Sequence, residues 1–338
     1  MMLKRGIATF KKLFNSKAIV LSYHRIAEPD TDPWNLAVSL KNFEQHLEVL
    51  QTYNVIPVPQ LANLLYNRSI KSKTICITFD DGYKDNYFYA KPLLEKYNFP
   101  CSFFIATKYI NQKQLFWWDE LEFIILHTPD LPSRLSLDVH HTKFYFDIAE
   151  GVLLDKEHRD LHKSWKGKDT PPTKRCELYL KLWELLKPLS YSEIQSIIKK
   201  LKEWVGSSSI IQNNDALPMD QEQVLEMANN SLFSIGMHTD THPALAYHST
   251  EVQEEEILNN KINLEGFLNR NIDTIAFPYG SYNDTTIQIV KNNKLKAAFT
   301  TKSEAVTGKT NLYQIGRFQV KNWNGKEFEK KLNNWFNR

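Results

Sequence analysis

Only three cysteines, Cys76, Cys101 and Cys176, occur in 338 residues, and none belongs to a CxxC pair. Neither a disulfide framework nor a cysteine zinc knuckle is therefore written into the chain. Cys76 and Cys101 sit inside the apolar runs TICITF and PCSFFI, the setting of buried free thiols. Charge of one sign is also scarce. The 42 Lys and Arg against 39 Asp and Glu leave a formal +3, too little to argue for a phosphate backbone, and no nucleic-acid partner is expected. No apolar stretch approaches the roughly 18 residues that span a bilayer. The N-terminus lacks the apolar core and small-residue cleavage site of a secretory signal, so a cytoplasmic protein is expected. Internal repeats and low-complexity tracts are missing as well.

The chain is long enough to bury a full core, with 42% hydrophobic residues including 19 Phe, 15 Tyr and 8 Trp. Residues 1–17 are basic and weakly amphipathic. Lys4, Arg5, Lys11, Lys12 and Lys17, with Leu3, Ile7, Phe10, Leu13 and Phe14, predict either a peripheral contact with an anionic membrane or a solvated first helix.

Short apolar runs alternate with helical patterns, which predicts an α/β fold. Strands are expected at 18–24, 55–58, 74–79, 100–107, 232–238, 274–279, 296–301 and 313–320. Helices are expected from Ser39, then over 84–97, 219–230, 250–269 and 284–293, and from Lys326 onward. Between 109 and 217 the alternation fails, although 174–187 and 190–205 read as helical; this stretch is expected to be an insertion within a single domain covering 1–338. Repeated strand–helix units favour a barrel or a doubly wound sheet, where chemistry gathers at the carboxyl ends of strands. Unusual polar residues do collect there: His24, Asp80 with Asp81, His238, and Tyr279.

His238-Thr-Asp-Thr-His242 sets two imidazoles four residues apart, able to meet one cation; two His and one carboxylate leave coordination positions open. Asp80-Asp81-Gly82 ends an apolar strand. Asp-Gly alone suits a solvated turn, but two carboxylates at an apolar strand end repel one another and call for a positive charge. A sugar-nucleotide transferase also uses paired Asp on a metal, yet no nucleotide-binding half is visible.

Together these segments resemble the polysaccharide deacetylase family, the NodB-homology or carbohydrate esterase family 4 fold. Its TFDDG motif stands intact at 78–82 and its H-[ST]-x-x-H motif at 238–242. SFFIAT is similar to its ATFF strand, and its R-x-P-Y-G motif appears as Ala276-Phe277-Pro278-Tyr279-Gly280. The resemblance covers roughly 18–107 and 218–320. It implies a distorted (β/α) barrel with a helical insertion, and a metal-dependent hydrolase that removes the N-acetyl group of an amino sugar. Asp81, His238 and His242 would hold a divalent metal, Zn²⁺ foremost. Asp80 would be the general base and the Tyr279 backbone N–H an oxyanion donor, with Pro278 and Tyr279 at the substrate.

Two features depart from the family pattern. Ala276 replaces the Arg that orients the base, and Arg317, or failing that Arg25, is the substitute. The late Leu-x-His motif is absent; some members look circularly permuted, and His24 on the first strand would then supply the acid, the alternative being a structural hydrogen bond. Trp118, in the cluster Phe116–Glu120, suits either sugar stacking or packing. His140 and His141 read as surface residues and His248 as incidental. The substrate implied is an N-acetylated glycan, in a polysaccharide, lipopolysaccharide or lipid-linked precursor. Cleavage of another linear amide or formyl group, or sugar binding without catalysis, are the alternatives.

Overall fold

The computed structural model describes residues 16–139, 142–206 and 216–337. The basic stretch of residues 1–15, His140 and His141 lie outside them. The chain divides into two compact units. One takes the chain up to Glu28, Leu36–Asn111, and the chain from Pro218; the other takes Pro29–Asn35 and Gln112–Leu217. The insertion expected at 109–217 is thus joined by seven residues from near the start of the chain.

The first unit is built on β1 (Lys17–Tyr23), β4 (Asn54–Val55), β5 (Thr74–Phe79), β6 (Cys101–Ile105), β9 (Phe233–Met237), β10 (Thr274–Ala276), β11 (Ala297–Phe299), β12 (Val306–Thr307) and β13 (Phe318–Gln319). β2 (Arg25–Ile26) and β3 (Ala37–Val38) form a small separate pair, and β7 (Arg134–Val139) and β8 (Thr142–Asp147) belong to the second unit. The main order is β11-β10-β9-β6-β5-β1-β12, and the seven-residue β1 and six-residue β5 pair side by side in parallel. β5 is buried at every position, as a strand covered on both faces must be, and its β-branched sequence suits that burial. This is an α/β fold whose sheet curls into a half-barrel. The stretch from Leu312 to Gln319 bonds first to β11, through Ala298 and Thr300, and then to β1 through Phe318. It carries Arg317 across the seam where the sheet nearly closes.

Several expected elements are shorter or different; the strands expected at 274–279 and 296–301 shrink to Thr274–Ala276 and Ala297–Phe299. At 55–58 only Asn54–Val55 pairs, because Pro57 caps the helix Val58–Tyr66. At 313–320 only Phe318–Gln319 is strand, with one bridge at Ile315. The helix expected over 84–97 opens with a π-turned segment, Asn86–Ala90, before its α-helical part Lys91–Lys96.

Cys76, Cys101 and Cys176 are buried and free. In the second unit β7 and β8 pair antiparallel, and the helices include Trp117–Glu122, Lys174–Leu186 and Tyr191–Trp204. The buried Arg175 donates to the carbonyls of Ile125, Thr128, Pro129, Gly151 and Val152, tying loops together.

The last helix, Gly325–Asn337, is held by a buried histidine. His46 donates from Nε2 to the Trp323 carbonyl at 2.7 Å, accepts from the Tyr23 hydroxyl at Nδ1 (3.2 Å), and stacks on Phe328. Burial pulls its pKa down from 6.5 to about 4. The unfolded chain therefore takes up this proton first, and stability should fall as pH drops from about 6.5 towards 4, by up to about 3 kcal/mol. His46→Gln keeps a donor and an acceptor without the titration. Its stability deficit against wild type, read from urea midpoints, is expected to shrink between pH 7 and pH 4.5; an unchanged deficit counts against the assignment.

Candidate active site

The carboxyl ends of β1, β5 and β9 and the turn after β10 bring the motif residues together. Asp81 follows β5 with φ 72°, and Gly82 follows with φ 95°. A side chain at Gly82 would also press on Ile105 at 3.1 Å, so the turn presenting the two aspartates requires glycine there. Thr239, His242 and Tyr279 are also left-handed, at 63°, 64° and 57°. Non-glycine residues seldom hold this conformation, and its concentration here marks a site whose geometry the surrounding fold enforces.

Asp81 Oδ1 lies 3.3 Å from His238 Nε2 and 3.2 Å from His242 Nε2. The three donor atoms lie within 4.8 Å of one another, and all three residues are buried. His238 Nδ1 faces the Ala276 carbonyl at 2.7 Å, which can only accept, so that nitrogen carries the proton. In the neutral ring Nε2 is then a lone pair pointing at a carboxylate oxygen. Two acceptors that close need a cation between them. Ligands about 2.0–2.1 Å from a tetrahedral ion stand about 3.3 Å apart, so this N/N/O set fits a divalent metal. Burial opposes ionisation of Asp81; imidazoles carrying a proton on Nε2 outweigh it and hold the carboxyl below the usual range, and a cation in that place would do the same.

Asp80 is held differently. Arg317 grips it with both ends of its fork, Nη1 to Oδ1 at 2.7 Å and Nη2 to Oδ2 at 2.6 Å. The guanidinium is steadied by Thr78 Oγ1 and the Thr300 carbonyl, which accept from Nη1 and Nε. Burial raises the Asp80 pKa; the Arg317 charge more than reverses that, with His238 adding to it, and the carboxyl is held low. A bidentate pair fixes the carboxylate plane as well as its charge. His24 Nε2 stands 3.9 Å from Asp80 Oδ2, with its side chain 19% exposed. Tyr279 packs its ring edge-on to His242, centroids 4.7 Å apart, and follows the buried Pro278.

Residues that the sequence did not single out support the His238–His242 loop from the helix Thr250–Leu268. Asn260 accepts from the His238 N–H and donates to the Ile105 carbonyl and Thr107 Oγ1. Glu256 accepts from both the N–H and the hydroxyl of Thr241. Their signal is i, i+4 spacing on one helical face of polar residues that turn inward. Arg25 does not reach Asp80 and is instead paired with Asp85. Trp118 lies in the second unit, 5% exposed, stacked on Phe116 and edge-on to Trp117, which leaves little ring surface for a sugar.

The model of the polysaccharide deacetylase family matches residues 67–135 and 188–298, more than half of the chain. The chain belongs to the polysaccharide deacetylase family. A poly-β-1,6-N-acetyl-D-glucosamine N-deacetylase of Staphylococcus epidermidis is 28% identical over 340 residues, which cover 96% of this deacetylase-family chain and 85% of the relative. YxkH of Bacillus subtilis (strain 168) is 33% identical over 123 residues, 35% of this chain; the chain spans only 42% of that relative's length. Among solved structures, IcaB from Ammonifex degensii superposes with a TM-score of 0.59 at 17% identity, covering 96% of this chain and 98% of that one. The Streptococcus pyogenes deacetylase PplD, solved with acetate, gives 0.57 at 21%, covering 93% and 97%. No helix among the described residues is long and apolar enough to cross a membrane.

Proposed function

We propose that this chain hydrolyses the N-acetyl group of N-acetylglucosamine units in a polysaccharide, releasing acetate and leaving a free amine. One observation carries the reading: a carboxylate held ionised by Arg317 stands directly beside an Asp/His/His donor set. That pairing supplies a base next to a Lewis-acid site, which simple sugar binding does not require. The substrate class is taken from the relatives' names.

Asp81, His238 and His242 would hold the divalent ion, with Zn²⁺ the best match to the donors. When bound, such an ion polarises the acetyl carbonyl and acidifies water. Asp80 takes the proton from the attacking water, and Arg317 keeps that carboxylate charged and oriented until then. The Tyr279 backbone N–H donates to the acyl oxygen as negative charge grows there; such a donor contributes about 2.7–4 kcal/mol. As the C–N bond breaks, His24 protonates the departing nitrogen. Supplying this acid from the first strand accords with a circularly permuted strand order. A lipopolysaccharide or lipid-linked substrate at a membrane rests on the basic residues 1–17 alone.

The test is acetate and amine release from a β-1,6-linked N-acetylglucosamine oligomer by purified protein. Activity is expected to vanish on chelation and return with Zn²⁺, and His242→Ala is expected to lose both the metal and the activity. Full turnover after exhaustive chelation would end the metal reading, and formate or ammonia as product would redirect it to another amide.

A further inference from the structure

The strand ladder that places His24 stops one residue short of it. The last bond between β1 and β5 runs from the Asp80 N–H to the Tyr23 carbonyl at 3.0 Å, and the His24 carbonyl leaves the sheet. It is caught by Asn86, whose Nδ2 donates to it at 2.8 Å. The same Nδ2 lies 2.7 Å from Asp85 Oδ1. Asp85 accepts from the Ile26 N–H at 3.2 Å and from Arg25 Nε at 2.9 Å, and the Arg25 guanidinium lies 4.8 Å over the Tyr83 ring. Both residues flanking His24 on its C-terminal side are thus tied to the chain that follows the Asp80-Asp81-Gly82 turn. Asp85 and Asn86 are fully buried. Asn86 opens the π-turned segment, and such turns are frequent at functional sites.

Sealing an Asp–Arg pair and an Asn inside a core is costly, and apolar side chains would hold a strand end in place as well. What the polar brace adds is direction, because each hydrogen bond fixes a backbone orientation. We infer that Asn86, Asp85 and Arg25 are positioning residues for His24, holding its imidazole where it meets the leaving nitrogen beside Asp80. This rests on the proposed amide hydrolysis.

An acid is needed to expel an amine but not a nitrophenolate, which leaves unprotonated. Asn86→Ala is therefore expected to lower kcat for the N-acetylglucosamine oligomer by about 10–100-fold with KM little changed. Hydrolysis of 4-nitrophenyl acetate and metal content are expected to stay within twofold, and Asn86→Gln to recover part of the loss. In a His24→Ala background, Asn86→Ala should cost nothing further. Equal losses on both substrates, or additive losses in the double variant, overturn the inference. A wild type that cleaves the ester but not the oligomer tells against the substrate reading instead. The brace is then judged by a crystal structure of Asn86→Ala: a displaced His24 ring supports it, an unmoved one overturns it.

Discussion

Replacing Asp80 with Asn is expected to reduce acetate release by about 10²–10⁴-fold while the protein keeps its full complement of metal. The substitution preserves the shape of the side chain and removes its ability to take a proton. Metal content should not change, because the donor set is Asp81, His238 and His242, and Asp80 is not part of it. A loss of thermal stability should accompany the change. Arg317 is 1% exposed and would be left a buried charge without its carboxylate, a situation that typically costs about 3–5 kcal/mol. Measured side by side, metal stoichiometry and turnover separate the two aspartates: Asp81→Asn should lose both, Asp80→Asn turnover alone. Retention of a tenth or more of wild-type turnover by metal-loaded Asp80→Asn would remove Asp80 as the base.

The candidate metal set was legible because short polar motifs interrupt apolar strands at their carboxyl ends, where side chains leave the sheet and meet. Arg317 was harder to read. The expected strand 313–320 gave only its approximate place, and the contact depends on how Leu312–Gln319 crosses from β11 to β1. Such closure is a property of several strands together, and no local pattern encodes it. The π-turned segment at Asn86–Ala90 was hidden for another reason: over five residues its side-chain spacing is close to that of the α-helix predicted there. In the second unit the antiparallel pair β7–β8 was visible in the alternation of Leu135, Leu137 and Val139, but the neighbouring irregular sequence masked it. Glu256 and Asn260 point to a general limit of periodicity. A buried polar residue on a helix looks like a surface one until the loop it supports is known.

Arg317→Met tests whether the arginine acts on Asp80's charge or merely fills space. Burial raises the Asp80 pKa, and the Arg317 guanidinium lowers it, with His238 and His24 adding to that lowering. Methionine keeps much of the side chain's bulk and removes the largest of the lowering influences, so the carboxyl should rise. In wild type, Asp80 is ionised throughout the neutral range and should impose no acid limb there. In Arg317→Met the ionised fraction should be lower than in wild type at acid pH and grow with pH. Turnover is therefore expected to fall most at the acid end of the profile and to recover as pH rises, one pH unit giving up to a tenfold gain. Arg317→Lys restores a charge without the fork, so it should bring back the wild-type pH dependence and only part of the rate. Linkage carries the same sign into stability. A carboxyl raised by burial in the folded state favours folding below that pKa and disfavours it above, so the methionine variant should lose stability as pH rises over the range where its rate recovers. A uniform loss of rate with an unshifted pH profile would mean that Arg317 holds the sheet seam together and does not keep Asp80 charged.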